Sequence, residues 1–267
     1  MRPVLNIALN TFRECLRDKL IHTSGIFALI LIAFSIFLGD WALFYREQMI
    51  KSFSLSIMTF AGLFLAVFMG VGVIQREIQK KTVLLILSHP FPRWHFILGK
   101  FIGLQWVLLV NYALMACFLY LILFLKNANP TFSLLPCIFS IYLEMALITA
   151  AAILFSSFST PYLSGWFTLG FYAVGHLAGE FLEQVQQLSQ GGVTVSGGTA
   201  LPEWMISIAK ILHYTIPNLE KLNFKSRVIA GYPVSFAELF QSSLYALCFI
   251  GILLILSSVW FGYRDFE

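Results

Sequence analysis

Long apolar segments alternate with short polar segments along almost the whole chain. Each apolar segment is about as long as a helix must be to cross the hydrocarbon core of a bilayer, which takes about 20 residues. The pattern predicts six transmembrane helices, at residues 21–38, 53–73, 101–124, 134–155, 162–178 and 239–261. An even number of spans places both termini on the same side of the membrane.

The first 20 residues follow a different pattern. Apolar residues recur at a spacing of three or four from Val4 to Leu16, while Arg13, Arg17 and Lys19 occupy the positions between them. This spacing predicts an amphipathic helix over residues 1–20 that lies in the membrane interface. No small-residue cleavage site follows, so the first span is expected to remain in place as a signal anchor.

Composition supports an all-α membrane protein with a single transmembrane domain over residues 1–267. The chain is 59% hydrophobic and 11% charged, whereas a soluble domain carries roughly 25% charged residues. The net charge of +4 is explained by topology and not by nucleic-acid binding, because basic residues collect in cytoplasmic loops. Ten of the 17 basic residues then lie on the side of the termini, which predicts that both termini are cytoplasmic.

The longest polar region, residues 179–238, separates the last two predicted spans and is expected to be extracytoplasmic. It contains a glycine-rich stretch at residues 190–198, typical of a flexible linker. Pro202 stands where a second interfacial helix would begin.

Catalytic motifs are missing from the sequence. No GxxxxGK[ST], HExxH or GxSxG motif occurs. The three aspartates lie at or beyond span ends, so no intramembrane aspartyl pair can form. The four cysteines have no CxxC spacing and are predicted to be small buried hydrophobic residues, not metal ligands. The sequence therefore predicts no enzyme, no metal and no cofactor of its own.

Three ionisable residues, Glu144, His176 and Glu180, lie within or beside predicted spans. Charge in hydrocarbon is costly, so such residues are candidates for function. His176 and Glu180 share a helix face, which is compatible with mutual pairing, with a substrate or helix contact, or with two metal ligands. For Glu144 the alternatives are a hydrogen bond to a neighbouring helix and a role in a transport path or dimer contact.

Gly175 and Gly179 form a GxxxG spacing in the fifth predicted span. Small residues at this spacing let two helices approach closely. Packing inside one bundle and contact between two copies of the chain are both compatible with it.

The loop at residues 74–100 is the most informative polar segment. A charged start, an apolar middle at residues 83–87 and a stop at Pro90 and Pro92 predict a short amphipathic helix that does not cross the bilayer. It is either a plain interfacial connector or a docking element for a cytoplasmic partner.

The same loop carries a resemblance to a known family. Glu77, Thr82, Leu87, Ser88, Pro90, Arg93, Gly99 and Lys100 resemble the loop after the second span of ABC-2 type permeases. The stretches at residues 10–19, 217–223 and 261–266 resemble the elbow helix, the segment before the last span and the ending of the same family. Together they resemble most the branch of the nitrous-oxide-reductase maturation permease. Lys81 departs from the pattern, because the family usually has glycine there.

The resemblance implies a permease subunit in the inner membrane that pairs with a second copy or a homologous permease. Separate ATPase subunits would bind ATP and magnesium, and the loop would be a coupling helix seated on them. The residues implied in ATPase coupling are Arg76, Glu77, Thr82, Pro90 and Arg93, with Arg17 and Lys19 as a second contact.

Three functions therefore compete. The first is a permease that exports a substrate, and the sparse charge of the spans favours an amphiphile. The second is a permease-like subunit that transmits force to an extracytoplasmic protein through residues 179–238. The third is a membrane enzyme built on Glu144, His176 and Glu180.

Overall fold

The structure is a computed structural model that describes residues 2–41, 45–79, 93–126, 134–190 and 217–263. All regular secondary structure in these ranges is helical. The α-helices are α1 Arg2–Leu16, α2 Lys19–Trp41, α3 Arg46–Gln79, α4 Arg93–Leu125, α5 Leu134–Phe158, α6 Pro161–Gln190, α7 Lys225–Ile229 and α8 Phe236–Tyr263, and a 3-10 helix covers Leu219–Leu222. Two compact units divide the chain: residues 1–168 with 222–267, and residues 169–221.

Five of the described helices, α2, α3, α4, α5 and α8, are long and apolar enough to cross a membrane. They correspond to five of the six predicted spans. The predicted span at residues 162–178 forms the first part of α6, which does not reach the same apolar character. Serine, threonine, tyrosine and histidine interrupt the apolar residues of this helix, so the number six remains a prediction.

Helices α3 and α4 continue beyond their predicted spans. The apolar pattern ends at residue 73, but α3 continues to Gln79, and α4 begins at Arg93 although its apolar pattern begins at residue 101. Hydropathy detects only the part of a helix that lies in lipid, whereas backbone hydrogen bonding continues into charged turns. Residues 80–92, which include most of the predicted coupling helix, lie outside the described residues.

The interior of the larger unit is built around α3 and α5. Most residues of their apolar segments are buried, whereas those of α2 and α8 are mainly exposed, as expected of helices that face lipid. Gly70 of α3 lets α5 approach closely, because a methyl group there would lie 2.7 Å from the Ala152 side chain. The Tyr112 hydroxyl of α4 donates a hydrogen bond to the Met58 carbonyl of α3 at 3.0 Å.

Helix α1 packs along the beginning of α4. Ile7, Ala8 and Thr11 of α1 face Gly99 and Gly103 of α4, and added methyl groups at the two glycines would lie 2.7 Å from Ile7 and from the Ala8 carbonyl oxygen. The predicted amphipathic helix at residues 1–20 is therefore a helix of 15 residues that packs on a transmembrane helix. It ends at Leu16, and α2 begins three residues later.

Candidate functional site at the base of the 80–92 loop

Lys100 occupies the centre of a charged cluster where α3 ends and α4 begins. Its side chain is only 3% exposed, and its Nζ lies 2.6 Å from Glu77 Oε1 and 3.8 Å from Glu14 Oε2. The ammonium also lies 5.6 Å from the centre of the Phe96 ring, within the range of a cation–π contact. One buried charge thus joins α1, α3 and α4.

Asp18 makes the second connection. Its Oδ1 accepts a hydrogen bond from the Leu20 amide at 3.1 Å, which caps the first turn of α2. Its Oδ2 lies 2.5 Å from the Arg76 guanidinium of α3. Burial alone would raise the pKa of Asp18, but the Leu20 amide and Arg76 outweigh burial, and the pKa lies below its usual value. The carboxylate is therefore charged at neutral pH and ties the α1–α2 corner to the end of α3.

Gln75 anchors the same end of α3 to α5. Its side-chain amide donates to the Ser156 carbonyl at 3.1 Å and to the Ser159 carbonyl at 2.8 Å. The Ser156 hydroxyl donates in return to the Val71 carbonyl at 3.1 Å. These bonds satisfy carbonyls at the C-terminal end of α5 that have no partner inside the helix. The end of α3 is consequently held from two sides.

We call Glu14, Asp18, Arg76, Glu77 and Lys100 the loop-side cluster. The ion pairs of this cluster connect the end of α3 and the start of α4 with α1 and with the start of α2. Among the described residues, no group of three or more His, Cys, Asp or Glu side chains could hold a metal ion.

The structure brings two of the predicted coupling residues into this cluster, namely Arg76 and Glu77. Arg17 and Lys19 are exposed at the corner between α1 and α2. Arg93 begins α4, but its side chain lies outside the described residues, as do Thr82 and Pro90 entirely.

The predicted intramembrane residues lie elsewhere. Glu144 is fully buried in α5. In the smaller unit, His176 Nδ1 lies 3.4 Å from Glu220 Oε2, a contact with the segment before the last span that its helical spacing to Glu180 did not predict. Gly175 packs in the same unit, since a methyl group there would lie 2.7 Å from Leu219 and 3.2 Å from the Pro217 carbonyl oxygen. The surroundings of Gly179 and the side chain of Glu180 lie outside what the structure describes.

Sequence reasoning missed the role of Gly99 and Gly103. They have the same GxxxG spacing that drew attention to Gly175 and Gly179, and they face α1. It also missed Glu14, which shares Lys100 with Glu77. The spacing of the glycines was available as a signal, whereas nothing in the sequence indicated which helix they would face.

The segment before the last span is shaped by its asparagines. Asn218 Oδ1 accepts a hydrogen bond from the Glu220 amide at 2.9 Å, and Asn223 Oδ1 accepts one from the Lys225 amide at 3.4 Å. Such contacts fold asparagine-containing turns. Leu219 and Leu222 of the short 3-10 helix are fully buried. The motif noted in the sequence therefore builds two short helical turns.

The long apolar helices define the chain as a multi-pass α-helical membrane protein, and the cluster described above carries no catalytic constellation. A family model described as "ABC-2 family transporter protein" matches residues 5–266. The chain therefore belongs to the ABC-2 transporter family and is a membrane permease subunit of an ABC transporter. This family is associated with an ABC ATPase and generally lacks an ATPase site of its own. Comparison with curated proteins gave no match.

Proposed function

We propose that this chain couples ATP hydrolysis on a separate ATPase subunit to the export of a substrate, with the predicted coupling loop at residues 74–100 as the docking element. The observation that carries the proposal is the buried Lys100, which joins the two helices flanking that loop to α1. The ATPase would hold ATP and magnesium. Arg76, Glu77, Thr82, Pro90 and Arg93 are the proposed coupling residues.

In this proposal, the ion pairs of the loop-side cluster transmit a movement of the loop to the membrane helices. A partner can shift the equilibrium between two arrangements only by binding one of them more tightly. The loop supplies that contact, and the buried pairs of the loop-side cluster make α1, α3 and α4 respond together. The permease would form a dimer with a second copy or with a homologous chain. The two halves of this dimer would then alternate between two arrangements.

An amphiphilic substrate fits this permease best. Glu144 is fully buried in its span, and the sparse charge of the spans gives little support to a path for small hydrophilic ions. The assignment to the branch of the nitrous-oxide-reductase maturation permease and the inner-membrane location with cytoplasmic termini belong to the same proposal.

One observation favours a second candidate, a subunit that transmits force to an extracytoplasmic protein. Residues 217–229 form two asparagine-initiated turns, and their leucines Leu219 and Leu222 are fully buried. This segment is therefore an ordered structure and not a plain linker. A surface that binds another protein and transmits force to it needs such order. ATPase turnover that proceeds without any transported amphiphile, but changes when this segment is altered, would favour the second candidate.

Co-expression with an ABC ATPase tests the coupling. A Glu77→Lys substitution places like charges beside Lys100 and should reduce turnover of the captured complex to that of the ATPase alone. The swap Glu77→Lys with Lys100→Glu restores opposite charges and should regain turnover. Arg46→Glu, which breaks the exposed pair of Arg46 with Asp40, is the control and should leave turnover unchanged.

The proposal fails if Glu77→Lys folds normally and keeps full turnover. It also fails if no ABC ATPase is captured by a chain that is stable in detergent. Replacing Glu144, His176 and Glu180 one at a time while the ATPase turnover of the complex is measured helps to separate the membrane enzyme from the other two functions.

A further inference from the structure

An apolar groove of about 210 Å³ runs along the outside of the bundle between α2 and α4. The two helices contribute matching rows of residues spaced four apart. The rows consist of Ile21, Gly25 and Leu29 from α2, and Val107, Asn111 and Met115 from α4. Each row extends over eight residue steps, so the groove is about 12 Å long at 1.5 Å per residue. An apolar cavity of roughly 150 Å³ is large enough to bind benzene, so this groove has room for part of a hydrocarbon chain.

The groove opens to the surrounding lipid along its length. Its outer edges are formed by Ile26, Val110 and Leu114, which are 59%, 38% and 59% exposed. Glycine at position 25 keeps the floor low, because a methyl group there would lie 3.3 Å from the Asn111 amide nitrogen. The groove is thus a lateral crevice that a chain can enter from the bilayer.

Two basic residues, Arg17 and Lys19, lie in the sequence between lining residues at the α1–α2 end of the groove. Leu16 and His22 line this end, and Arg17 and Lys19 are exposed beside them. The neighbouring acidic residue, Asp18, is occupied by Arg76. His22 Nδ1 lies 3.1 Å from the Asp18 carbonyl oxygen, and because a carbonyl can only accept, Nδ1 carries the proton and the ring orientation is set. The corner therefore has positive charge that the described ion pairs do not neutralise.

We infer that this groove is a binding site for an anionic phospholipid of the surrounding bilayer. One acyl chain lies between α2 and α4, and the phosphate lies at Arg17 and Lys19. The arrangement places apolar surface in hydrocarbon and basic side chains at headgroup level, where each Lys or Arg attracts anionic lipid. The bound lipid contacts Leu16 and His22 at the corner between α1 and α2. The ion pair of Asp18 with Arg76 connects this corner to α3. The inference depends on the membrane location of the chain and not on the proposed ATPase coupling.

Retention of defined lipids by the purified full-length chain tests this site. The chain is delipidated in mild detergent, mixed with phosphatidylglycerol or phosphatidylcholine of identical acyl chains, and examined by native mass spectrometry. Wild type should retain phosphatidylglycerol in preference to phosphatidylcholine. Arg17→Gln with Lys19→Gln should weaken phosphatidylglycerol binding by about fivefold per residue, which corresponds to the roughly 1 kcal/mol that each basic residue contributes near an anionic surface.

Filling the groove gives an independent variant. Ile26→Trp with Val110→Trp adds bulk at exposed edges, so it should fold and lose bound lipid of both kinds. Ile252→Trp with Ile255→Trp on α8 is the matched control, since these isoleucines are 52% and 65% exposed and lie away from the groove. The control should retain lipid as wild type does.

Three results would overturn the inference. The first is a groove-filled variant that retains as much phosphatidylglycerol as wild type. The second is equal retention of the two lipids by wild type. The third is a charge variant that keeps its lipid but loses captured ATPase, because Arg17 and Lys19 would then contact the ATPase and not a phospholipid.

Discussion

Two charged clusters lie at opposite ends of the same three helices and differ in burial more than in chemistry. The loop-side cluster joins the start of α2, the end of α3 and the start of α4. At the other ends of these helices, Asp40 pairs with Arg46 and with Lys126, whose Nζ lies 3.3 Å from it. The residue types are alike, but Asp40 is 46% and Lys126 28% exposed, whereas Lys100 is 3% exposed.

The difference in burial between the two clusters is explained by a fourth helix, α1, which is present at the loop-side cluster. Helix α1 packs on α4 through Gly99 and Gly103, and its Glu14 lies 3.8 Å from Lys100 in the loop-side cluster. Among the described residues, nothing equivalent covers Asp40. Exposed pairs are screened and contribute little, whereas breaking a buried pair leaves an uncompensated charge. We therefore expect the loop-side cluster to transmit force and the opposite cluster to tolerate change.

The largest effect is expected for Lys100→Met. The substitution removes a buried ammonium from Glu77, whose side chain is 14% exposed, so the free energy of unfolding should fall by about 3 kcal/mol. Lys126→Met at the exposed cluster should lower it by less than about 1 kcal/mol. Thermal unfolding in detergent measures both, and equal losses would refute the contrast between the clusters. Lys100→Met with Glu77→Leu should regain most of the loss, because an apolar pair can replace a buried ion pair.

An intermediate effect is expected when α1 is pushed away from α4. Gly103→Leu forces a side chain against the Ala8 carbonyl and Thr11, and such overpacking costs about 1–3 kcal/mol. Gly251→Ala on α8 has no atom within 4 Å of the added methyl group and should change stability by at most about 1 kcal/mol, in the stabilising direction. Unchanged stability and unchanged ATPase turnover in Gly103→Leu would mean that α1 does not cover the cluster.

A pH-dependent effect is expected for Asp18. Its folded-state pKa lies below the ordinary value of 3.8, so its contribution to stability is complete above the unfolded pKa and is lost as pH falls through the folded pKa. Asp18→Asn keeps an oxygen to cap α2 but removes the charge. The difference in unfolding midpoint between wild type and this variant should be constant near neutral pH and shrink below about pH 3.8. A difference that persists in acid would show that the charge on Asp18 does not stabilise the fold.

The smallest effect is expected in the rate at which the Cys15 thiol is chemically modified. Cys15 of α1 is 2% exposed, and burial raises the pKa of its thiol to about 12. The reactive thiolate is therefore scarce at neutral pH. In a chain that keeps Cys15 as its single cysteine, a water-soluble maleimide should react slowly, and faster after Gly103→Leu. Rapid reaction of the chain with Gly103 intact would show that α1 leaves α4 frequently.

Much of the helical pattern could be predicted from the sequence because lipid imposes a strong local rule. All six predicted spans lie within helices of the structure, and five of those described helices are long and apolar enough to cross a membrane. Helices α3 and α4 extend further into polar sequence. The amphipathic helix was predicted over residues 1–20, whereas the helix of the structure ends at Leu16. Arg76 and Glu77 were singled out for docking, and they lie in the loop-side cluster, but the sequence named neither Glu14 nor Asp18 as their neighbours.

The sequence by itself determined that the chain is a membrane protein. Its charged residues are too few to cover a surface in water, and the lengths of its apolar segments match the thickness of a bilayer. Only the tertiary structure decided the pairings. Lys100 meets Glu77, 23 residues away, and Lys126 meets Asp40, 86 residues away. It likewise decided which glycines receive α1 and where a groove remains open. Hydropathy and spacing act within one helix, whereas these contacts depend on how separate helices pack.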